Sequence, residues 1–239
     1  MKNGRLQGYV LEIGGRSVPV RLRRNDRARR LILRAEPNFA SNEAAFVVTL
    51  PEGTGVKEAL EWASLQGRWI EQQLNKFPDR VPFADGTVLP LRGVDHVIRH
   101  RPNARRGVWV TDKTICVSGL REHLARRVTD WLKKEARMRI LQCARAKALE
   151  LELDFGRVAI RDTKTRWGSC SSNGNLNFSW RLILTPDFVF DYVVAHEVAH
   201  LREHNHSSEF WCVVRGLTSE PERARAWLQS FGADLHCYG

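Results

Sequence analysis

The 239-residue chain is 43% hydrophobic and 27% charged, the balance of a water-exposed globular protein with material for one large domain or two small ones. It has no apolar run near the roughly 18–20 residues of a membrane span, and its first ten residues lack the apolar core and cleavage site of a signal peptide. A net charge of +11 leaves an acidic partner open, whereas five scattered cysteines, an odd number with no CxxC pair, argue against a disulfide frame or a cysteine zinc knuckle. The expectation is a cytoplasmic chain with reduced thiols and no membrane partner.

The first fifty residues read as short strands. Tyr9–Ile13, Val18–Leu22, Leu31–Arg34 and Phe46–Leu50 are apolar or alternating runs, punctuated by Gly14-Gly15, Asn25-Asp26 and Pro37-Asn38. Arginines 21, 23, 24, 27, 29 and 30 cluster here, and arginines 99, 101, 105 and 106 cluster later. They read first as a solvated face, with contact to phosphate as the alternative. A helix is expected from Val56 to Phe77, where Val56, Leu60, Ala63, Ile70, Leu74 and Phe77 recur near helical spacing and Pro78 stops it. Strands return between Val81 and Leu120, with Asp85-Gly86 and Asp112-Lys113 as turns.

A long helix is expected from Arg121 to Leu153, with Leu124, Val128, Trp131, Leu132, Ala136 and Ile140 on one broad face. After it, Val158–Arg161, Thr165–Cys170 and Asn175–Trp180 read as strands, the last two joined through Asn173-Gly174. Thr185 is the expected N-cap and Pro186 the first position of the next helix. This pattern predicts an α+β fold: a strand-rich part over residues 1–120 and a second domain over 121–239, with a soft boundary within 80–120. No internal repeat is evident.

The next helix carries His196-Glu197-Val198-Ala199-His200. Residues four apart share a helix face, so the two imidazoles can converge on one ion, with Glu197 beside a water on it. Val189, Val193 and Val194 predict a buried helix, and polar groups left unpaired in such a setting cost about 2–7 kcal/mol. His204 continues the spacing, but its Cα would lie about 12 Å along a straight helix from that of His196. A zinc about 2.0–2.1 Å from each nitrogen cannot bridge that. The chain must therefore break and turn, for which Asn205 suits a left-handed cap, and His206 becomes the expected third ligand. Glu209 or Glu220 is the alternative. A further helix is expected to start at Ser207 or Ser208. Three protein ligands leave a position for water, the mark of a catalytic zinc site, with Glu197 as the base.

The run Tyr192–Trp211, together with Thr165-Arg166-Trp167-Gly168-Ser169-Cys170 and the nearby Gly174, Leu176, Phe178, Ser179 and Trp180, resembles the YgjP-like metallopeptidase domain, related to the WLM and SprT-like zinc peptidases. The resemblance implies a minimal zincin-like C-terminal domain with its HExxH helix on a small antiparallel sheet. It also implies Zn2+ held by His196, His200 and His206, Glu197 as the base, and peptide or protein substrates. Trp167 and Cys170 read as core. Arg166 and Ser169 are expected to border the cleft, as oxyanion or substrate contacts, with structural pairing an equal alternative for Arg166, and His204 is expected as an outer-shell or substrate-side residue. Two other functions stay open: hydrolysis of nucleoside triphosphates such as UTP to the monophosphate and pyrophosphate, also attached to members of the family, and binding of nucleic acid through the basic N-terminal part.

Overall fold

The computed structural model describes residues 7–38, 43–74, 80–163 and 166–239. Contacts divide the chain into two compact units, Met1–Arg80 and Val81–Gly239. The strands between 88 and 117 therefore group with the C-terminal unit.

The first unit is a four-stranded sheet with two helices. Strands β1 (Gln7–Ile13) and β2 (Arg16–Arg24) form an antiparallel hairpin through Gly14 and Gly15, both at positive φ. Strand β4 (Glu43–Leu50) joins β2 in parallel and β3 (Ile32–Asn38) in antiparallel, giving the order β1-β2-β4-β3. Val18, Val20 and Leu22 alternate inward on β2, so Arg21 and Arg23 fall on the opposite side of the pleat. The helix expected over 56–77 is two: α1 (Val56–Leu65) and α2 (Gly67–Leu74), with Gln66 outside helical geometry between them. Phe77 and Pro78 lie outside the described residues. Ala59, Ala63 and Ile70 bury against Phe46 and Val48 of the sheet.

The second unit opens with a sheet of the same plan. Strands β5 (Val88–Leu91), β6 (Val94–His100), β7 (Val108–Thr111) and β8 (Thr114–Val117) pair in the order β5-β6-β8-β7, again antiparallel, parallel, antiparallel. Each unit thus uses one hairpin–crossover–hairpin arrangement followed by helix. The amino-acid sequence shows no such repetition, because topology constrains only where apolar and turn residues fall. Arg92 and Gly93, both at positive φ, turn β5 into β6.

After a 3-10 turn at Arg121–His123, α3 (Leu124–Glu150) presents Leu124, Val128, Leu132, Ala136, Ile140 and Ala144 to the core. Strands β9 (Val158–Arg161), β10 (Gly168–Cys170) and β11 (Leu176–Ser179) make a three-stranded sheet in the order β10-β11-β9. The β10–β11 hairpin is antiparallel, as expected, and β9 adds in parallel. Thr165, at the start of the expected strand, lies outside the described residues. The hairpin loop is longer than two residues: Ser171 N–H donates to Asn175 O (2.9 Å), Gly174 N–H to Ser171 O (2.9 Å), and Gly174 sits at φ 68°.

Helices α4 (Asp187–Ala199), α5 (Ser208–Leu217) and α6 (Pro221–Phe231) complete the unit. α4 packs against α3, α5, α6 and β10, and nine of its residues are buried. Its N-cap is Pro186, one residue later than expected: Pro186 is extended at ψ 152° and its carbonyl accepts the first helical bonds, from Val189 and Phe190 N–H (3.0 Å each), while the Thr185 hydroxyl donates back to Leu182 O (2.8 Å). Lys147 of α3, buried, reaches Asp191 of α4 at 2.7 Å and Leu217 O of α5 at 2.6 Å, so one ammonium ties three helices together. No described helix is long and apolar enough to cross a membrane, and all five cysteines are free.

Candidate metal centre

The C-terminal end of α4 departs from the sequence expectation in a way that builds the site. The helix ends at Ala199, not near Asn205, and Asn205 is not in the left-handed region. The last turn tightens instead: Leu201 N–H donates to Val198 O (2.9 Å) and Arg202 N–H to Ala199 O (3.0 Å). The Arg202 guanidinium fastens this turn by donating to Leu151 O (2.6 Å). The chain then reverses through residues 200–206, and Ser207 caps α5 by accepting from Phe210 N–H (3.3 Å).

This reversal brings His206 beneath the two helical imidazoles. His206 Nε2 stands 3.1 Å from His196 Nε2, and a ring nitrogen from each of His196, His200 and His206 lies within 4.8 Å of the others. Among the described residues these three form the one group of His, Cys, Asp or Glu side chains so placed. His200 Nδ1–H donates to Glu203 O (2.9 Å), which leaves Nε2 as the bare nitrogen facing the triad. His196 Nδ1 is buried and meets no hydrogen-bond partner among the described residues, so on that side packing holds the ring.

The packing comes from the first turn of α5. The Phe210 ring, fully buried, lies 4.9 Å from the His196 centroid, 4.5 Å from His200 and 4.7 Å from His206. Trp211 stacks along His206 at 28°, with the Arg225 guanidinium 4.8 Å from the Trp211 ring centroid. Burial, followed by the neighbouring His200, His206 and Arg225, pushes His196 down to about 4, and burial also lowers His200. Both imidazoles are therefore neutral near pH 7 and offer lone pairs.

Glu197 is 6% exposed. Desolvation raises its carboxyl to about 7, against the opposing pull of Arg166 and of the Cys170 backbone N–H. Gly168 of β10 makes room for it: a Cβ there would stand 2.6 Å from Glu197 Oε1. The cleft beside the triad, about 300 Å³, is lined by Arg166, Gly168, Ser169, Cys170 and His204 with the three histidines and Glu197. Arg166, Ser169 and His204 are thus brought together along this cleft. Cys170, read from the sequence as core, packs against the core and also borders the cleft. The other ligand candidates are engaged elsewhere: Glu209 accepts from the Ser208 hydroxyl (3.1 Å), and Glu220 is paired with Arg223. Phe210 was invisible as a site residue from spacing alone; the only signal was its place in the Tyr192–Trp211 run.

The donor set suits a divalent ion. Two nitrogens sharing a tetrahedral zinc stand about 3.3 Å apart at 2.0–2.1 Å bond lengths, close to the 3.1 Å between His196 and His206. Three imidazoles suit a borderline-soft metal such as zinc better than magnesium or calcium.

The chain matches no curated protein by sequence. Among solved structures it is similar to the metallopeptidase zymogen jannalysin of Methanocaldococcus jannaschii, at 18% identity and a TM-score of 0.34 over 39% of this chain and 94% of that one. It is similar also to the metallopeptidase zymogen abylysin of Pyrococcus abyssi, at 23% identity and a TM-score of 0.35 over 40% of this chain and 94% of that one. The profile of the family described as "YgjP-like, metallopeptidase domain" matches residues 31–231. That match takes in most of the chain, and the protein belongs to the YgjP-like family of metallopeptidase domains, hydrolases that imply a divalent metal and a peptide or protein substrate.

Proposed function

We propose that this chain is a zinc-dependent peptidase in which His196, His200 and His206 hold the ion and Glu197 moves the proton. The observation that carries the reading is the convergence of three ring nitrogens within 4.8 Å beside a buried carboxyl raised to about 7. Zinc in such a site acts as a Lewis acid, polarising the scissile carbonyl and lowering the pKa of water to about 7.

The chain's own groups do the rest. Glu197 takes a proton on its carboxylate from the attacking water and returns it to the leaving nitrogen, a shuttle that works best with a pKa near the working pH. Gly168 lets that carboxylate approach the strand, and the Cys170 N–H holds it. The free side of β10 accepts an extended peptide by main-chain pairing. Arg166 faces the developing oxyanion, and Ser169 and His204 contact the substrate on either side of the cleft.

The test is metal analysis joined to cleavage of an unfolded protein by the zinc-loaded chain. Glu197→Gln keeps its zinc and loses about 10²-fold or more in rate, while His200→Ala and His206→Ala lose the metal. Zinc retained by both histidine variants, or hydrolysis of nucleoside triphosphates with no cleavage of polypeptide, would overturn the proposal.

A further inference from the structure

A second, larger cleft lies in the same unit, away from the histidines. It has a volume of about 700 Å³ and opens between the end of the β5–β8 sheet and the middle of α3, within the range of about 300–1,000 Å³ typical of ligand sites. Its apolar surface comes from Val94, Trp109, Val110, Trp131 and Ile183, with Val94 44% and Val110 40% exposed. Tryptophan beside exposed aliphatic side chains is the composition of an interaction hot spot rather than of a solvated face.

The charges around it are unbalanced. Arg92, Arg106, Lys113 and Arg139 face Glu135 and Asp187. Asp187 is already shared, accepting from Arg92 Nη2 at 2.7 Å and from Arg139 Nη2 at 2.7 Å, so one carboxylate serves two guanidiniums. Arg106 lies over the Trp109 ring, 5.9 Å from its centroid, and neither it nor Lys113 has an ion-pair partner among the described residues. The walls therefore offer uncompensated cations beside an apolar floor. The apolar walls take the aliphatic or aromatic side chains of a polypeptide, which a phosphodiester backbone does not offer.

We propose that this cleft is a docking site for an acidic polypeptide segment carrying an apolar or aromatic anchor, and that it serves as an exosite for substrates. Asp187 begins α4 and His196 lies nine residues further along it, a rise of about 14 Å, which an extended chain of at least about four residues can span. The docking stands without the metal chemistry; only its use as an exosite rests on the peptidase reading.

The binding test uses the metal-free, full-length Glu197→Gln chain and a fluorescein-labelled peptide with the core Asp-Asp-Leu-Phe-Asp-Asp. Anisotropy is expected to report saturable binding, weakened about tenfold or more by the exposed double reversal Arg106→Glu/Lys113→Glu with an unchanged thermal midpoint. The analogue with lysines for the aspartates should not bind, and a ten-nucleotide oligothymidylate should not displace the peptide. No binding, binding indifferent to the double reversal, equal binding of the lysine analogue, or displacement by the oligonucleotide would each overturn the docking site. In the zinc-loaded wild type, a cleavable peptide joined to the acidic core through a ten-residue linker should show a KM about tenfold lower than the unjoined peptide, with kcat unchanged. The double reversal should erase that difference. Equal KM values despite binding would overturn the exosite role. Binding with no cleavage of either substrate would support the docking site and count against the peptidase reading alone.

Discussion

Glu197 shows how much a single position can concentrate. Its carboxyl sits against Gly168 in a cleft wall, and desolvation holds its proton up to about 7. In the metal-free protein this has a definite pH signature. The folded pKa lies above the ordinary 4.5, so below pH 4.5 the group is protonated in both states and burial costs little. Between 4.5 and 7 the unfolded chain releases the proton that the folded chain keeps, and stability falls as pH rises. His196, lowered from 6.5 to about 4, acts in the opposite sense and loses stability as pH falls through that range. The histidine is common to wild type and Glu197→Gln, so their difference isolates the glutamate. The thermal midpoint of the metal-free variant should gain on wild type from about pH 4.5 to 7 and then level off, the full difference amounting to about 3 kcal/mol. Melting curves of both proteins across roughly pH 4 to 8 check this; a difference independent of pH would reject the burial-held proton.

At the scale of elements, the centre depends on the junction between α4 and α5. The last turn of α4 tightens, Arg202 anchors it, Ser207 caps α5, and Phe210 is delivered against all three imidazoles. A fully buried phenyl ring in this role contributes to both stability and ligand geometry. Phe210→Ala should destabilise the fold by about 3 kcal/mol or more through lost packing and a cavity. Phe210→Leu keeps most of the volume and should cost less, roughly 1 kcal/mol. It should nevertheless weaken zinc binding about tenfold, as loss of an orienting contact does, measured by competition with a chromogenic chelator. Wild-type zinc affinity in the leucine variant would show that the ring orients nothing.

For the whole molecule, the division between Arg80 and Val81 matters most. The second unit contains a continuous core from Phe83 to Leu235, the histidine triad and both clefts. We propose that it is an autonomous domain, so that a fragment spanning Val81–Gly239 should melt cooperatively in calorimetry. Saturating zinc should raise its midpoint, because a ligand that binds only the native state stabilises it by about 2.7 kcal/mol at a hundredfold excess over Kd. A chelator should reverse the shift. An aggregated fragment, or one whose melting ignores zinc, would show that residues 1–80 are needed to build the site.

Much of this was legible in the residues. Periodicity marked β2 and α3, because burial on one face leaves a period of two or of 3.6 in any chain. The pair of histidines four apart with Glu197 between them pointed to two candidate ligands and a candidate base, since helical geometry is local. The limits of a straight helix also required a turn back to His206. Local reasoning could not supply the place where that turn occurs: the helix stops at Ala199 because Arg202 finds Leu151 O and His200 finds Glu203 O, and the first of those partners is 51 residues away. The burial that sets the proton affinity of Glu197, the place of Cys170 between core and cleft, and the ring of Phe210 behind the triad were likewise decided by tertiary structure. Desolvation, strand order and side-chain packing are properties of segments brought together, and no single segment encodes them.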